Sequence, residues 1–300
     1  MKLLITGAWK NAAEHIDEIK KLGHEVLFMQ WEKDALPSGG SDAEGIICNG
    51  LFLHHHLGEF PSLRFVQLTS AGFDRMDMKE AERRGIAVFN AKGVYSVPIA
   101  EFVLAAVLEK YKSLATFKEQ QKEHEWKKLR NLRELSGKRV LIAGCGDVGT
   151  ECAKRFRAFG CTVIGISKPP LPSEHVDRML GIESLEAELP LADIVVVSLA
   201  LCDDTRGIVK AAMVREDAML INVSRGAVVD LTNARCELML DVFETEPLEK
   251  DDPLWDVSFV TPHNSFESEG NDERLWGVIR SHLAPQSDKR HYKKTGGRNG

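Results

Sequence analysis

Three glycines, Gly144, Gly146 and Gly149, stand at the spacing G-x-G-x-x-G directly after the apolar run Val140-Leu-Ile-Ala143. A strand that empties into such a turn, with a helix behind it, aims backbone N–H groups and a helix N-terminus at phosphate oxygens. Gly144 suits the tight turn, Gly146 lets backbone approach a pyrophosphate, and Gly149 lets helix lie against strand; the chemistry is that of a dinucleotide site. About twenty residues on, where such units usually carry a carboxylate for the ribose hydroxyls, the chain has Ser167 and Lys168. A carboxylate repels a 2′-phosphate, whereas a hydroxyl and an ammonium can hold one, so this pair favours NADP(H), with NAD(H) the alternative.

Thr69-Ser-Ala-Gly-Phe-Asp74 is a second candidate, a turn of small residues whose backbone N–H groups can receive a carboxylate. The triplet His54-His-His56 invites a metal reading, but consecutive histidines cannot all face one way and no other ligand cluster accompanies them. A surface loop is expected there, and no metal. The six cysteines include no C-x-x-C pair and mostly sit in apolar segments, which fits reduced, buried thiols; Cys145, inside the glycine turn, is expected to fill space.

These residues need strands to hold them. Leu3–Thr6, Glu25–Met29, Gly45–Cys48, Arg64–Leu68 and Ile86–Phe89 read as short strands separated by helical stretches, which predicts a small parallel α/β domain over residues 1–98. From Pro98 a helix is predicted, its apolar stripe running Ala100, Val103, Leu104, Val107, Leu108, Tyr111 and Leu114 and crossing into a second domain. Lys118–Arg133, charged and carrying Trp126, is either a solvated face or an arm across a dimer partner. The second domain, 99–265, should contain Val140–Ala143, a helix over Thr150–Phe159, and strands at Thr162–Ile166, Ile194–Ser198, Met219–Val223, Leu238–Val242 and Ser258–Thr261, each ending in polar residues. In open α/β sheets those carboxyl ends form the ligand cleft.

With 300 residues there is room for two domains. A net charge of −6 argues against a general affinity for nucleic acid. No apolar run approaches a membrane span, and the N-terminus opens on a strand instead of a signal peptide, so a cytoplasmic protein is expected. The tail from Ala284 onward, with Lys289, Arg290, Lys293, Lys294 and Arg298, is expected to be a disordered or loosely docked terminus, not a nucleic-acid patch.

Three further stretches bear on function: Ile221-Asn-Val-Ser-Arg-Gly-Ala-Val-Val-Asp230, Leu240-Asp-Val-Phe-Glu-Thr-Glu-Pro-Leu248 and Val260-Thr-Pro-His-Asn-Ser265. In order and spacing, together with Ser70-Ala-Gly72 and Val97-Pro-Ile-Ala-Glu-Phe102, they resemble the D-isomer-specific 2-hydroxyacid dehydrogenase family, over most of the chain. The resemblance implies an α/β protein of two domains, a Rossmann-type doubly wound parallel sheet inserted into a flavodoxin-like substrate domain that residues 266–300 complete. It makes His263 the proton donor to a substrate carbonyl and Glu246 the carboxylate on its other ring nitrogen, favouring the charged imidazole. Arg225 would clamp the substrate carboxylate, with the backbone of Ala71 and Gly72 also binding it. Asp147 and Val148 would meet the pyrophosphate, Thr205 the cofactor phosphates, and Asp241 the nicotinamide amide, with Val223 also at the cofactor. A glyoxylate or hydroxypyruvate reductase acting as a homodimer is the expectation; the alternative is a dinucleotide-sensing, corepressor-like binding protein. There are departures. Only ten residues separate Asp230 from Asp241, too few for the helix, turn and strand the family fits there, so either the helix is deleted or a loop is left out of the sequence. The stretch between Gly207 and Asn222 is also shortened, and Ala200 stands where a proline is usual.

Overall fold

The computed structural model describes residues 1–284, so the expectation for the basic tail lies outside the described residues. The chain divides into two compact units, Met1–Val94 with the described residues from Glu269 onward, and Tyr95–Ser268. These limits fall a few residues from 98/99 and 265/266.

In the first unit the short apolar runs pair as β1 (Lys2–Thr6), β2 (Glu25–Met29), β3 (Gly45–Cys48), β4 (Phe65–Leu68) and β5 (Ala87–Phe89). All pairings are parallel and the order is β2-β1-β3-β4-β5, the flavodoxin-like arrangement. Helix α1 (Ala12–Lys21) buries Ala12 and Ile19, and α2 (Met78–Arg83) starts at an Asp77 side chain that accepts from Glu80 N at 3.0 Å. His54, His55 and His56 lie in a loop of short turns, where His55 pairs with Glu59 at 3.1 Å and with Asp34 O at 2.9 Å.

The second unit opens on α3 (Ser96–Lys112) and α4 (Leu114–Lys122), followed by β6 (Arg139–Ala143), α5 (Asp147–Ala158), β7 (Thr162–Ile166) and β8 (Arg178–Leu180). Then come α6 (Leu185–Glu188), β9 (Ile194–Val197), β10 (Val209–Lys210), β11 (Met219–Asn222), β12 (Val229–Asp230), β13 (Glu237–Leu240), α7 (Leu254–Val257) and β14 (Ser258–Val260). Seven strands form one parallel sheet in the order β14-β13-β11-β9-β6-β7-β8, while β10 and β12 pair separately. Alternate residues feed two cores: Val140, Ile142, Val196 and Ile221 lie on the α3 and α5 face, Leu141, Ala143, Val197 and Leu220 on the other. Burial on both faces is why these strands read as unbroken apolar runs.

Two expectations along the chain need correction. The α3 stripe ends at Tyr111: Ser113 takes a left-handed backbone (φ 50°), which stops the helix, and Leu114 beyond it is 45 % exposed. Helix α5 begins at Asp147, inside the glycine motif, three residues before the expected start. At the shortened stretch the chain passes from β12 to β13 through turns alone. Beside it lies a cavity of about 500 Å³ lined by apolar residues such as Val229, Leu240 and Leu254 and by polar ones such as Arg206, Asp230 and Glu249.

The last helix, α8 (Asn271–Leu283), belongs to the first unit. Asp272 accepts from Trp9 Nε1 at 2.8 Å and pairs with His15 Nε2 at 3.1 Å, while His15 stacks between Trp9 and Trp276 at 5.0 and 4.6 Å. Burial pushes the Asp272 carboxyl up, but the hydrogen bonds from His15, Trp9 and Asn11 outweigh it and hold the group below its usual 3.8.

Candidate active site

The glycine turn is built by close approach. Gly144 has φ 103°, a conformation side chains resist, and a Cβ on Gly149 would fall 2.0 Å from Gly144 O. The turn is pinned by Gly144 N and Cys145 N, which donate to Ile166 O at 3.0 and 3.1 Å, and by Ser198 Oγ, which donates to Gly144 O at 2.6 Å. Beside Gly146 a Cβ would meet open space, so backbone there can be approached from outside. The first turn of α5, with Asp147 and the half-buried Val148, follows at once, so its N–H groups stand where a pyrophosphate fits. Burial pushes the Cys145 thiol up to about 11, which suits a space-filling residue better than a reactive one.

Around the rest of the expected cofactor surface the side chains have protein partners. Lys168, at the end of β7, has Nζ 3.6 Å from Asp204 Oδ2, both side chains being exposed. Thr205 Oγ1 donates to Ala200 O at 2.7 Å and accepts from Cys202 N at 2.8 Å, so its hydroxyl shapes its own loop. Val223 is buried and donates through its N–H to Val197 O at 3.2 Å.

Asp241 departs most from its expected role. Its carboxylate is fully enclosed at 0 % exposure, where Oδ1 accepts from Thr261 Oγ1 at 2.6 Å and Asn264 N at 2.8 Å, and Oδ2 from Ser265 N at 3.1 Å. Those donors flank His263, whose backbone is left-handed at φ 50°. A non-glycine residue there costs of order 1 kcal/mol or more. Asp241 therefore fixes the histidine's turn from beneath, its carboxylate enclosed by those donors.

His263 Nδ1–H donates to Glu246 Oε2 at 2.8 Å, and Glu246 Oε1 accepts from Phe243 N at 3.0 Å. That leaves the histidine's Nε2 edge open, with Phe266 edge-on to the ring at 6.0 Å. Arg225 follows β11, its turn braced by the buried Asn222, whose Nδ2 donates to Arg225 O at 2.9 Å and whose Oδ1 accepts from Ser224 N at 3.1 Å. Arg225 Nη1 donates to Ser224 O at 2.8 Å. The next residue, Gly226, is where the two loops touch: a Cβ would sit 2.1 Å from Phe243 C and 2.2 Å from Glu244 N. The arginine loop thus packs directly on the loop that carries Glu246.

In the first unit, the Ser70–Gly72 turn has its carbonyls occupied: Gly72 O accepts from Ser70 Oγ at 3.0 Å, Ala71 O from Asn90 Nδ2 at 2.6 Å and Ser70 O from Ala91 N at 2.9 Å. The N–H groups of Ala71 and Gly72 have no partner among the described residues.

A glycine turn on a doubly wound parallel sheet, with arginine, glutamate and histidine at later strand ends, is the outline of a dinucleotide-binding fold. Residues 104–265 match the family model of the D-isomer specific 2-hydroxyacid dehydrogenase NAD-binding domain. A glyoxylate reductase of Aeropyrum pernix is 34 % identical over 220 residues, 66 % of this chain and 65 % of that protein, so the chain spans just under two thirds of that relative. A crystal structure of a D-isomer specific 2-hydroxyacid dehydrogenase family protein from Aeromonas salmonicida is 26 % identical, with TM-score 0.80 over 95 % of this chain and 96 % of the other. A second, from Xanthobacter autotrophicus in complex with NADPH and MES, is 28 % identical, with TM-score 0.72 over 94 % and 96 %. The chain belongs to the D-isomer specific 2-hydroxyacid dehydrogenase family.

Proposed function

We propose that this protein reduces a small 2-oxo acid of the glyoxylate or hydroxypyruvate type to the D-2-hydroxy acid, with NADPH as donor and NADH as the alternative. The observation that carries the reading is the 2.8 Å His263–Glu246 pair. With Nδ1 tied to a carboxylate, the imidazole presents Nε2, the nitrogen that would hand a proton to a carbonyl oxygen. Arg225 would hold the substrate carboxylate as a planar, permanently charged fork, and the N–H groups of Ala71 and Gly72 would bind it as backbone donors. The open backbone at Gly146, with Asp147, Val148 and Gly149, fits the pyrophosphate; Ser167 and Lys168 would take a 2′-phosphate. A bound nicotinamide supplies the hydride. The cofactor class is supported by the similar Xanthobacter protein, which is described in complex with NADPH.

A homodimer belongs to the same reading. Trp126 is 98 % exposed, and Leu114, Phe117 and Leu132 lie exposed in the same stretch, which suits cover by a second copy. Six unpaired cysteines favour a reducing compartment such as the cytoplasm, and no helix among the described residues is long and apolar enough to cross a membrane.

The test mixes purified protein with NADPH or NADH and glyoxylate, hydroxypyruvate or pyruvate, following absorbance of the reduced nicotinamide. Turnover is expected. Tight dinucleotide binding without turnover of any 2-oxo acid would instead favour the sensing, corepressor-like alternative.

A further inference from the structure

The carboxyl ends of β3 and β4 lie side by side, Cys48 being paired with Leu68. The chain leaving β4 makes the Ser70–Gly72 turn and then Arg75, three residues past Gly72 and so within about 11 Å of it. Arg75 Cδ lies 3.9 Å from where a Cβ on Gly50 would stand, which places its aliphatic stem back over the loop that follows β3. The side chain is only partly exposed, and among the described residues it has neither a hydrogen bond nor an ion pair. Other arginines do better: Arg64, Arg83, Arg133 and Arg139 reach carboxylates, and Arg84 reaches two carbonyls.

No carboxylate among the described residues is within ion-pair distance of it. Glu32 Oε2 is 3.4 Å from the same point at Gly50, yet Glu32 accepts from Thr6 Oγ1, Asn49 N and Gly50 N at 2.6 to 2.7 Å and makes no ion pair with Arg75. Asp77 caps α2. The same corner holds Asn49 Oδ1, a buried side-chain oxygen without a partner among the described residues. A partly desolvated guanidinium with no acceptor is costly until an anion reaches it.

We propose that Arg75 receives a second anionic group of the substrate, so that the preferred 2-oxo acids carry a carboxylate or phosphate beyond the 2-oxo acid head. This rests on the reductase reading above and narrows its substrate class. The head would occupy the Ala71 and Gly72 N–H groups, and the distal anion would meet Arg75 on the same rim of the first unit's sheet.

The experiment compares kcat/KM within two pairs, 2-oxoglutarate against 2-oxovalerate and 3-phosphohydroxypyruvate against hydroxypyruvate, for wild type, Arg75→Gln and Arg75→Lys. Wild type is expected to favour the charged member of at least one pair, which also says whether carboxylate or phosphate is taken. Arg75→Gln should reduce that ratio by about 10- to 100-fold, and Arg75→Lys should recover part of it. Ratios at or below one in wild type overturn the proposal whatever the variants do, as does a ratio that Arg75→Gln moves by less than about twofold. Flat ratios with good turnover of the uncharged acids remove only the role of Arg75. No turnover of any of the four acids removes the reductase reading and this proposal with it.

Discussion

Replacing Asp241 by Asn changes one oxygen for an NH2 group and so separates two roles for that residue. In the wild type Oδ1 takes Thr261 Oγ1 and Asn264 N, and Ser265 N is shared between Oδ2 at 3.1 Å and Oδ1 at 3.3 Å. With the amide oxygen kept at Oδ1, its NH2 faces the Ser265 N–H, which keeps only its longer contact to that oxygen, so the shorter bond to a charged acceptor is lost and two buried donors are brought together. Those losses, less the relief of an uncharged group in a buried site, come to about 2–4 kcal/mol. For a unit of the size of Tyr95–Ser268 that is a melting-temperature drop of roughly 5–12 °C. The strained His263 backbone would also relax away from φ 50°, and kcat should fall by about tenfold or more as the imidazole leaves its position. Thermal melting by circular dichroism and steady-state kinetics with glyoxylate read the two effects. Thr261→Val removes one donor only and should cost about 1 kcal/mol. If Asp241→Asn melted with the wild type and merely raised the KM for the cofactor, Asp241 would be a nicotinamide contact and the turn would need another anchor.

Three further outcomes are expected. Glu246→Gln keeps the shape of the His263 partner but removes its charge, and should lower kcat by about 10- to 100-fold with a smaller change in substrate KM; an unaltered kcat in steady-state assays refutes the pairing's role. Lys168 and Asp204 act oppositely on a 2′-phosphate, so Lys168→Ala should raise the KM for NADPH over that for NADH by about 3- to 10-fold and Asp204→Asn should lower it. Equal effects on both dinucleotides would remove the 2′-phosphate argument. Asp272 has its folded value depressed, so the stability it contributes is present above the unfolded value near 4 and is lost as pH falls through the folded one. Asp272→Asn should therefore lower the melting temperature at pH 7, with the gap to the wild type narrowing as pH falls through the folded value; a gap that widens as the pH is lowered would contradict that sign.

The strands were legible because sheets covered on both faces demand continuous apolar runs, and Val140–Ala143, Ile194–Val197 and Met219–Ile221 supply them. The short count between Asp230 and Asp241 likewise fits a chain that passes from β12 to β13 through turns alone. Ser113 gave no such warning: serine carries no fixed preference for a left-handed backbone, so the Leu114 spacing read as one stripe.

Polar residues at strand ends posed a harder problem, because whether each faces a ligand or the protein is decided by donors that arrive from far along the chain. Lys168 reads as a free ammonium until Asp204 is folded beside it. Asp241 reads as a cofactor contact, and only the folded chain shows that Thr261, Asn264 and Ser265, some twenty residues on, donate to it. Glu246 and His263 escape the ambiguity because each needs the other: a carboxylate satisfied on one oxygen by Phe243 N still has a second for the imidazole, and the imidazole so held still has a nitrogen to offer. A pair whose members leave one another a reactive atom after all protein bonds are made is a stronger sign of chemistry than either residue's type or position. Arg75 is a different case, a cation without a hydrogen bond or ion pair among the described residues.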